Sequence, residues 1–409
     1  MTQRVAHIIT RCVAGAGGVA VRGAVSLPRD LYCSTLVVGS GDVLLDEARA
    51  HGVEVIVVPD LVSPISPASD ARALRSLDAI VRSGGFDVVH THSAKAGVLG
   101  RVAAAHAKVP RIVHTLHGFP WHDFQSVAVR QAYIRTERAL SRITDAYLAV
   151  GTGVAVEALR RGVVRPDQLV TIGPAVEPAR VTASPLSRAR ARALLGLPDD
   201  ATVVGTVGRM DFQKAPEVML EAVRRMHTRA VLVWVGGGPL LEAMAHRAHA
   251  AGLSDRVLLL GNRQDVPELL PAFDVFAMSS RYEGLPCAIV EAQECGIPVV
   301  ATSVNAVSDV VVPGVTGLLV APQDPTQLAA ALDHALSHPR QAAAWAQRAR
   351  AQLGDRYEPG TLGATLCEVY AAEPTEPTEP TGPLGPTGER ATLTHRPLLT
   401  PVTAWHRAS

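Results

Sequence analysis

The sequence predicts an α/β protein with two Rossmann-like, doubly wound domains that face each other across a cleft. Short runs rich in valine and isoleucine alternate with longer amphipathic segments over about the first 370 residues. These runs are continuous in apolar character, as expected for parallel strands that are covered on both faces. They also form two separate series, which argues against the alternative of one α/β domain with a large insertion.

Each series has its own strands. In the first half, six apolar runs predict strands at 5–9, 34–38, 53–58, 87–91, 111–115 and 146–150. In the second half, five runs predict strands at 202–208, 230–236, 256–261, 274–279 and 298–302. The segments 67–82 and 130–142 carry apolar residues at three- and four-residue spacing, which indicates helices between the strands.

Composition shifts predict the domain boundaries. A segment rich in proline, alanine and arginine interrupts the strand rhythm between about residues 173 and 199. We therefore predict domains at 1–180 and 181–371. From residue 372 the chain becomes a Pro/Thr/Glu tract with no apolar periodicity, which buries too little surface to fold. We predict that 372–409 is a disordered tail.

Charge and cysteine content exclude several classes of protein. The formal net charge is +1 and the pI about 7.8, so bulk charge gives no reason to expect a nucleic-acid partner. The five cysteines form no CxxC pair, which argues against a disulfide framework and a zinc site. The N-terminus does not resemble a signal peptide, and no uncharged apolar stretch approaches the length of a bilayer span. We expect a cytoplasmic protein without transmembrane helices, with peripheral membrane contact left open.

Two cations follow the first strand of the second half. Arg209 comes at the carboxyl end of the strand at 202–208, and Lys214 lies just before a helix predicted to begin near Pro216. Open α/β sheets bind ligands at this edge. A guanidinium fork and a compact ammonium together suit a diphosphate. The alternative is a pair of solvated surface cations, although Lys214 is one of only three lysines among 39 basic residues.

The stretch RYEGLPCAIVE (281–291) keeps two carboxylates around a turn. Pro286 suits the first turn of a helix that runs to about Cys295, so free N–H groups are expected around 284–287. Glu283 and Glu291 would each accept two hydrogen bonds from the hydroxyl groups of a sugar or ribose. The alternative is a helix N-terminal charge plus a solvated or arginine-paired glutamate.

Several second-half motifs together resemble the GT-B, family 4 (group 1) retaining glycosyltransferases of the exopolysaccharide or aminoglycoside-antibiotic type. They are the Gly208-Arg209…Lys214 turn, the Glu-x7-Glu pair, and the AxxxGIPVVAT and VPGVTGLLV segments at 292–302 and 312–320. The resemblance covers about residues 3–371. It implies that 1–180 binds the acceptor and that 181–371 binds a nucleotide sugar.

The resemblance also implies roles for individual residues of the second domain. Arg209 and Lys214 would hold the donor diphosphate. Glu291 would bind the ribose, and Glu283 would reach the transferred sugar beside the backbone of Gly284 and Leu285. Residues expected near the nucleobase are Asn262, Arg263 and Val266.

In the first half, the resemblance assigns the glycine loop and a cleft histidine. The donor-binding glycines would be Gly15, Gly17 and Gly18, although AGAGGVA departs from the GGA-plus-polar pattern of many relatives. His117 would lie near the reacting centre. The acceptor-binding residues would be His92, Ser93 and Lys95. Because the histidines follow separate strands without carboxylates or thiolates at ligand spacing, we predict no metal site.

The expected reaction is retaining transfer of a hexose or N-acetylhexosamine, with N-acetylglucosamine preferred, from a UDP-sugar to an acceptor hydroxyl. The catalytic residues would be His117, Glu283, Arg209 and Lys214, without a metal cofactor. The expected acceptor is a small natural product such as an aminoglycoside intermediate, with a lipid-linked glycan as the alternative. Two other classes are a UDP-sugar 2-epimerase and an inactive nucleotide-sugar-binding protein.

Overall fold

The computed structural model describes residues 2–176 and 182–372, and it contains two entirely parallel sheets that confirm the predicted fold class. The first sheet has the order β3-β2-β1-β4-β5-β6-β7, with strands β1 (Gln3–Cys12), β2 (Tyr32–Gly41), β3 (Glu54–Val57), β4 (Val88–His92), β5 (Arg111–Leu116), β6 (Ala146–Val150) and β7 (Leu169–Ile172). The second has the order β10-β9-β8-β11-β12-β13, with strands β8 (Val203–Val207), β9 (Val231–Val235), β10 (Val257–Leu259), β11 (Val275–Met278), β12 (Val299–Thr302) and β13 (Gly317–Val320). Strands β7 and β13 were not predicted.

Helices connect the strands and cover both faces of each sheet. Six belong to the first half: α1 (Ala14–Ser26), α2 (Val43–Ala50), α3 (Pro67–Gly84), α4 (Ala94–His106), α5 (Val127–Leu140) and α6 (Thr152–Arg160). Eight follow: α7 (Pro185–Leu195), α8 (Pro216–Arg225), α9 (Leu241–Ala250), α10 (Val266–Leu269), α11 (Cys287–Cys295), α12 (Pro325–Ser337), α13 (Pro339–Leu353) and α14 (Pro359–Ala371). Proline at the first helical position and a left-handed glycine after the last, as at Pro185 and Gly196, fix where such helices begin and end.

Each sheet has a point where the strand order reverses. In the first sheet β1 lies between β2 and β4, and in the second β8 lies between β9 and β11. Loops on the two sides of such a point diverge, which leaves a crevice at the carboxyl ends of the strands. The predicted ligand-binding segments follow β1, β4 and β5 in the first sheet and β8, β10 and β11 in the second. The topology therefore brings them to the carboxyl ends of the strands around these two crevices.

The two halves contact each other outside the crevices as well, and two of these contacts involve α6 and α14. Asp309 of the second half accepts a hydrogen bond from the backbone N–H of Thr152, at the first turn of α6. This carboxylate satisfies a helix N-terminus that has no capping side chain of its own. Helix α14, the last described element, returns to the first sheet, where the Tyr370 hydroxyl lies 2.6 Å from Nδ1 of His90.

The predicted boundary at 180/181 falls among residues 177–181, outside the described part of the chain, and stays a prediction. The predicted tail at 372–409 likewise lies outside it, apart from Ala372. Within 2–176 and 182–372, no helix combines the length and apolar character needed to cross a bilayer.

Candidate active site

Lys214 and Glu283 form an ion pair at the crevice of the second sheet. Lys214 lies in the loop after β8 and Glu283 in the loop after β11, and the Lys214 Nζ to Glu283 Oε1 distance is 2.5 Å. Gln213 donates from Nε2 to the other carboxylate oxygen at 3.2 Å, and Asn305 Oδ1 accepts from the Glu283 backbone N–H at 3.0 Å. These contacts fix the position of a buried carboxylate.

Arg209 lies at the same sheet edge with its guanidinium largely in solvent. Its side chain is 56% exposed, and its nearest described carboxylate oxygen, on Asp211, is 3.7 Å away. Such a group is free to close on an anion that enters the crevice. Lys214 and Arg209 therefore differ, because one is already held by a carboxylate and the other is not tightly paired.

The predicted nucleobase residues lie further along this edge, after β9 and β10. Asn262 accepts a hydrogen bond from the Gly237 N–H at 2.8 Å, which joins the two loops. Arg263 is paired with Asp265 through two hydrogen bonds, and Val266 begins α10. None of these contacts identifies a base, so their assignment stays a prediction.

Helix α11 begins at Cys287, close to where Pro286 predicted it. Within the described residues, the backbone N–H groups of Gly284 and Leu285 donate to no protein acceptor. The first N–H groups of α11 add further donors to this loop. Burial and the nearby charge of Glu291 raise the pKa of the Cys287 thiol to about 11, while Arg22 and Lys214 act in the opposite direction. Glu291 is thus close to the start of α11.

The glycine loop after β1 has the close approach that its sequence suggests. Gly15 has φ of 21° and leaves the helical conformation inside α1. A Cβ at Gly17 would lie 2.8 Å from the carbonyl carbon of Cys12, so the loop packs directly on the end of β1. At Gly18 a Cβ would meet the guanidinium of Arg22 at 2.5 Å. Arg22 is a cation that the sequence analysis missed.

The first sheet contributes histidines at the facing crevice. His92 ends β4, and its Nδ1 lies 3.0 Å from Nε2 of His117 in the loop after β5. On the other side, Nε2 of His92 lies 3.4 Å from Nδ1 of His7 on β1. Burial lowers the pKa of His7 and of His117 to about 4, and it lowers the pKa of His92 well below its usual value. All three are therefore neutral at pH 7.

The nitrogens of His7, His90 and His92 also lie within 4.8 Å of one another. Both ring nitrogens of His90 already have hydrogen-bond partners, the Tyr370 hydroxyl at 2.6 Å and the Thr115 hydroxyl at 2.7 Å. Hydrogen bonds therefore occupy both nitrogens of His90, and the expectation of no metal stays a prediction.

The predicted acceptor residues do not share one environment. His92 is buried behind His117, whereas Ser93 faces a cavity and its hydroxyl lies 3.0 Å from that of Thr10. Lys95 is bound by Asp70 at 2.6 Å and by the Pro64 carbonyl. Their role in acceptor binding stays a prediction.

A cavity of about 260 Å³ lies between the two halves. Its walls bring together four predicted site residues, two from each half: Ser93, His117, Glu283 and Gly284. Trp121 and Tyr282, which the sequence analysis did not single out, also line it. The ring of His122 stacks on Tyr282 at 4.5 Å between centroids and so joins the two halves beside the cavity.

Gly284 of the second half packs against the backbone of the His117 loop beside this cavity. A Cβ built there would lie 1.9 Å from the His117 carbonyl oxygen, which is a backbone atom and cannot rotate away. We expect Gly284→Ala to push the two loops apart and to lower kcat/KM for glycosyl transfer by about tenfold to 10²-fold. Steady-state kinetics would measure this effect. Gly360→Ala is the control, since its Cβ meets nothing within 4 Å. Unchanged kinetics of Gly284→Ala would contradict the close approach.

Two family descriptions match nearly the whole described chain. Residues 187–352 match "Glycosyl transferases group 1", and residues 14–180 match "Glycosyltransferase Family 4". A UDP-Gal:alpha-D-GlcNAc-diphosphoundecaprenol alpha-1,3-galactosyltransferase of Escherichia coli is 30% identical over 309 residues, which cover 74% of this chain and 80% of that protein. A D-inositol 3-phosphate glycosyltransferase of Mycobacterium marinum is 32% identical over 292 residues, which cover 66% of this chain and 60% of that protein.

The fold comparison agrees with these matches. The crystal structure of Anabaena Alr3699/HepE in complex with UDP and glucose superposes with a TM-score of 0.77 at 22% identity, and the match covers 90% of this chain and 98% of that chain. At this identity the likeness shows the fold, a GT-B arrangement of two Rossmann-like domains. The assignment of glycosyltransferase activity rests on the sequence relatives and the family matches. The chain belongs to the group 1, family 4 glycosyltransferases and is a transferase enzyme.

Proposed function

We propose that the protein transfers a hexosyl unit from a UDP-sugar to an acceptor hydroxyl with retention of the anomeric configuration. The observation that carries this proposal is the cavity between the halves, which His117 of the first half and Glu283 of the second both line, with Lys214 in contact with Glu283. Hexose-sized cavities with few fixed polar groups suit the binding of one sugar unit. The family assignment favours transfer over the isomerase alternative.

In this proposal the leaving group is a nucleoside diphosphate. The bond between the sugar C1 and the β-phosphate oxygen breaks, and negative charge develops on that phosphate. Lys214 and Arg209 would stabilise this charge, together with the N–H groups at the start of α11. Glu283 would accept hydrogen bonds from sugar hydroxyls, while its bond to Lys214 links the sugar to the phosphate.

Retention follows from attack on the same face that the phosphate leaves. The Glu283 carboxylate already accepts from Lys214 and Gln213, which makes it a hydrogen-bonding group rather than a free nucleophile. The acceptor oxygen then bonds to C1, and the departing phosphate takes the acceptor proton. Closure of the cleft excludes water and limits hydrolysis. No step in this scheme uses a metal ion.

The nucleotide and the sugar are inferred from the relatives. The E. coli relative is named for UDP-galactose, and the Anabaena structure was solved with UDP and glucose. These names support UDP as the nucleotide and a hexose as the sugar. N-acetylglucosamine is the sugar that we propose to test first.

All five cysteines are free thiols, which is consistent with the proposed cytoplasmic location.

Two acceptor classes have support from different relatives. The name of the Mycobacterium relative contains inositol phosphate, a cyclitol, which supports a small cyclitol acceptor such as an aminoglycoside intermediate. The name of the E. coli relative contains a sugar on a polyprenyl diphosphate, which supports a lipid-linked glycan. A mass-spectrometric screen of UDP-sugars against 2-deoxystreptamine-type and polyprenyl-diphosphate acceptors separates the two.

The two glutamates provide a sharper test of the donor site. We expect Glu291→Ala to weaken UDP binding about tenfold or more, because a charged hydrogen bond to ribose is lost. We expect Glu283→Ala to leave the Kd of UDP nearly unchanged while transfer falls sharply. Calorimetry with UDP and a UDP-release assay measure the two effects.

Glu368→Ala is the control, since this exposed glutamate of α14 is not among the predicted site residues. Normal UDP binding and turnover by both site variants would reject the assignment. Incubation with UDP-N-acetylglucosamine alone should yield no epimer, and formation of one would support the isomerase.

A further inference from the structure

The three histidines of the first crevice form a continuous chain of hydrogen bonds. Nδ1 of His7 contacts Nε2 of His92 at 3.4 Å, and Nδ1 of His92 contacts Nε2 of His117 at 3.0 Å. His7 and His92 are 0% and 2% exposed, so water does not compete for these bonds. His117 is the only one of the three that lines the cavity. The chain thus leads from the interior of the first sheet to the proposed sugar site.

A neutral imidazole carries one proton, on either Nδ1 or Nε2. Once the protonated nitrogen of His92 is known, the two hydrogen bonds determine which nitrogen is protonated in His7 and in His117. If the His92 proton is on Nδ1, it is donated to His117, and Nε2 must accept from Nδ1–H of His7. If the proton is on Nε2, it is donated to His7, and Nδ1 must accept from Nε2–H of His117. No other neutral arrangement makes both hydrogen bonds.

His7, at the inner end of the hydrogen-bond chain, distinguishes these two arrangements. Nε2 of His7 is buried and has no hydrogen-bond partner among the described residues. In the first arrangement this atom is an unprotonated acceptor, whereas in the second it is an N–H donor that nothing accepts. Unpaired buried N–H groups are rarer in proteins than unpaired buried acceptors. The first arrangement is therefore favoured, with all three protons on Nδ1.

At the outer end of the hydrogen-bond chain, the tautomers determine which atom of His117 is available to a ligand. In the favoured arrangement Nε2 of His117 is occupied by His92, and Nδ1 of His117 carries a proton. This Nδ1 has no hydrogen-bond partner within the described residues, and its ring lines the cavity. It is therefore available to donate to an oxygen atom of a bound ligand.

We infer that His7 and His92 are positioning residues that hold His117 as a neutral Nδ1–H donor directed at an oxygen of the bound sugar or phosphate. The inference deepens the proposed function, on which the identity of the ligand rests. Its tautomers are a property of the protein alone, because the hydrogen bonds that set them are present without substrate. The low pKa of each histidine, caused by burial, is consistent with the neutral chain.

Nitrogen-15 NMR of the full chain, labelled at histidine, tests the tautomers without any assay of activity. Loss of one signal each in His7→Asn, His92→Asn and His117→Gln assigns the three rings among the 15 histidines. We expect Nδ1–H in all three, which is the less common tautomer of a free histidine side chain. An Nε2–H tautomer at His117 in the wild-type protein would overturn the inference.

Two variants at His7 then test whether the chain acts on His117. An asparagine keeps an N–H donor near the position of Nδ1, whereas a methionine offers only a weakly accepting sulfur. We expect His7→Asn to keep the His117 tautomer and wild-type kcat within about twofold. We expect His7→Met to favour Nε2–H on His117 and to lower kcat by about tenfold or more, with the Kd of UDP unchanged.

The outcomes separate the inference from the proposed function. If the tautomers follow these expectations but no UDP-sugar is turned over, the inference stands and the proposed function fails. If transfer occurs and the two His7 variants have the same His117 tautomer, the positioning role is wrong. A purely structural role for His7 would lower the melting temperature of His7→Met without changing the His117 signal, which also overturns the inference.

Discussion

Replacing Lys214 by alanine is expected to lower kcat/KM for transfer by about 10³-fold, the effect of removing one fixed donor from a developing oxyanion. The Lys214 ammonium is 2.5 Å from Glu283 and only 17% exposed, so its charge acts in a site with little water. Its removal also leaves the buried carboxylate of Glu283 without its cation. Both losses fall on the same step, and UDP-release kinetics at several donor concentrations would measure them.

Two further lysine variants show whether the effect is specific to the Lys214 ammonium. Lys108→Ala removes an exposed lysine of the first half and should leave kcat/KM unchanged. Lys214→Arg keeps the charge but replaces a compact ammonium by a planar fork, and we expect it to recover only part of the activity. Activity of Lys214→Ala within about tenfold of wild type would show that the diphosphate is held by other groups, such as Arg209 and Arg22.

Arg101→Met is expected to reduce the free energy of unfolding by about 3–5 kcal/mol, the usual cost of leaving one partner of a buried ion pair alone. Arg101 is fully buried, and its guanidinium donates to both carboxylate oxygens of Glu137 at 2.9 Å. It also contacts the Tyr147 hydroxyl at 3.0 Å and thereby joins α4, α5 and β6. Urea unfolding followed by circular dichroism would measure the loss.

A second substitution identifies the cause of that loss. Arg101→Met with Glu137→Leu removes both charges, and we expect it to regain most of the stability because apolar side chains tolerate burial. Arg130→Met is the matched control, since its partner Asp123 is 88% exposed, and it should cost less than about 1 kcal/mol. If the double variant were no more stable than Arg101→Met, lost packing rather than the unpaired carboxylate would be responsible.

Local sequence patterns predicted the fold class and the strands that carry the site. Continuous valine-rich runs mark buried parallel strands because such strands have no polar face. The short edge strands β7 and β13 escaped prediction, since four residues of mixed burial give little pattern. The return of α14 to the first sheet was also unforeseen, because periodicity indicates a helix but not the surface on which it packs.

Some contacts of the predicted site residues likewise follow from the strand order, whereas others do not. Glu283 and Lys214 follow neighbouring strands, so the sheet order alone brings them together once the strands are known. Asn305 supports Glu283 from a turn with positive φ, and nothing near it in the sequence indicates that contact. The bond between His92 and His117 depends on the register of β4 with β5 and on the loop beyond it, which sequence spacing does not fix.

Because α14 packs on the first sheet, the structural unit around that sheet contains the N-terminal part of the chain and also its last described helix. Tyr370 meets His90 beneath the histidine chain, and the Val369 carbonyl accepts from Arg111 on β5. A chimaera that exchanges acceptor-binding halves between two relatives must therefore carry both the N-terminal segment and the final helix from one parent. A single crossover in the linker would leave foreign side chains beneath the strands that hold the cleft histidines, so compatible grafts require two crossovers.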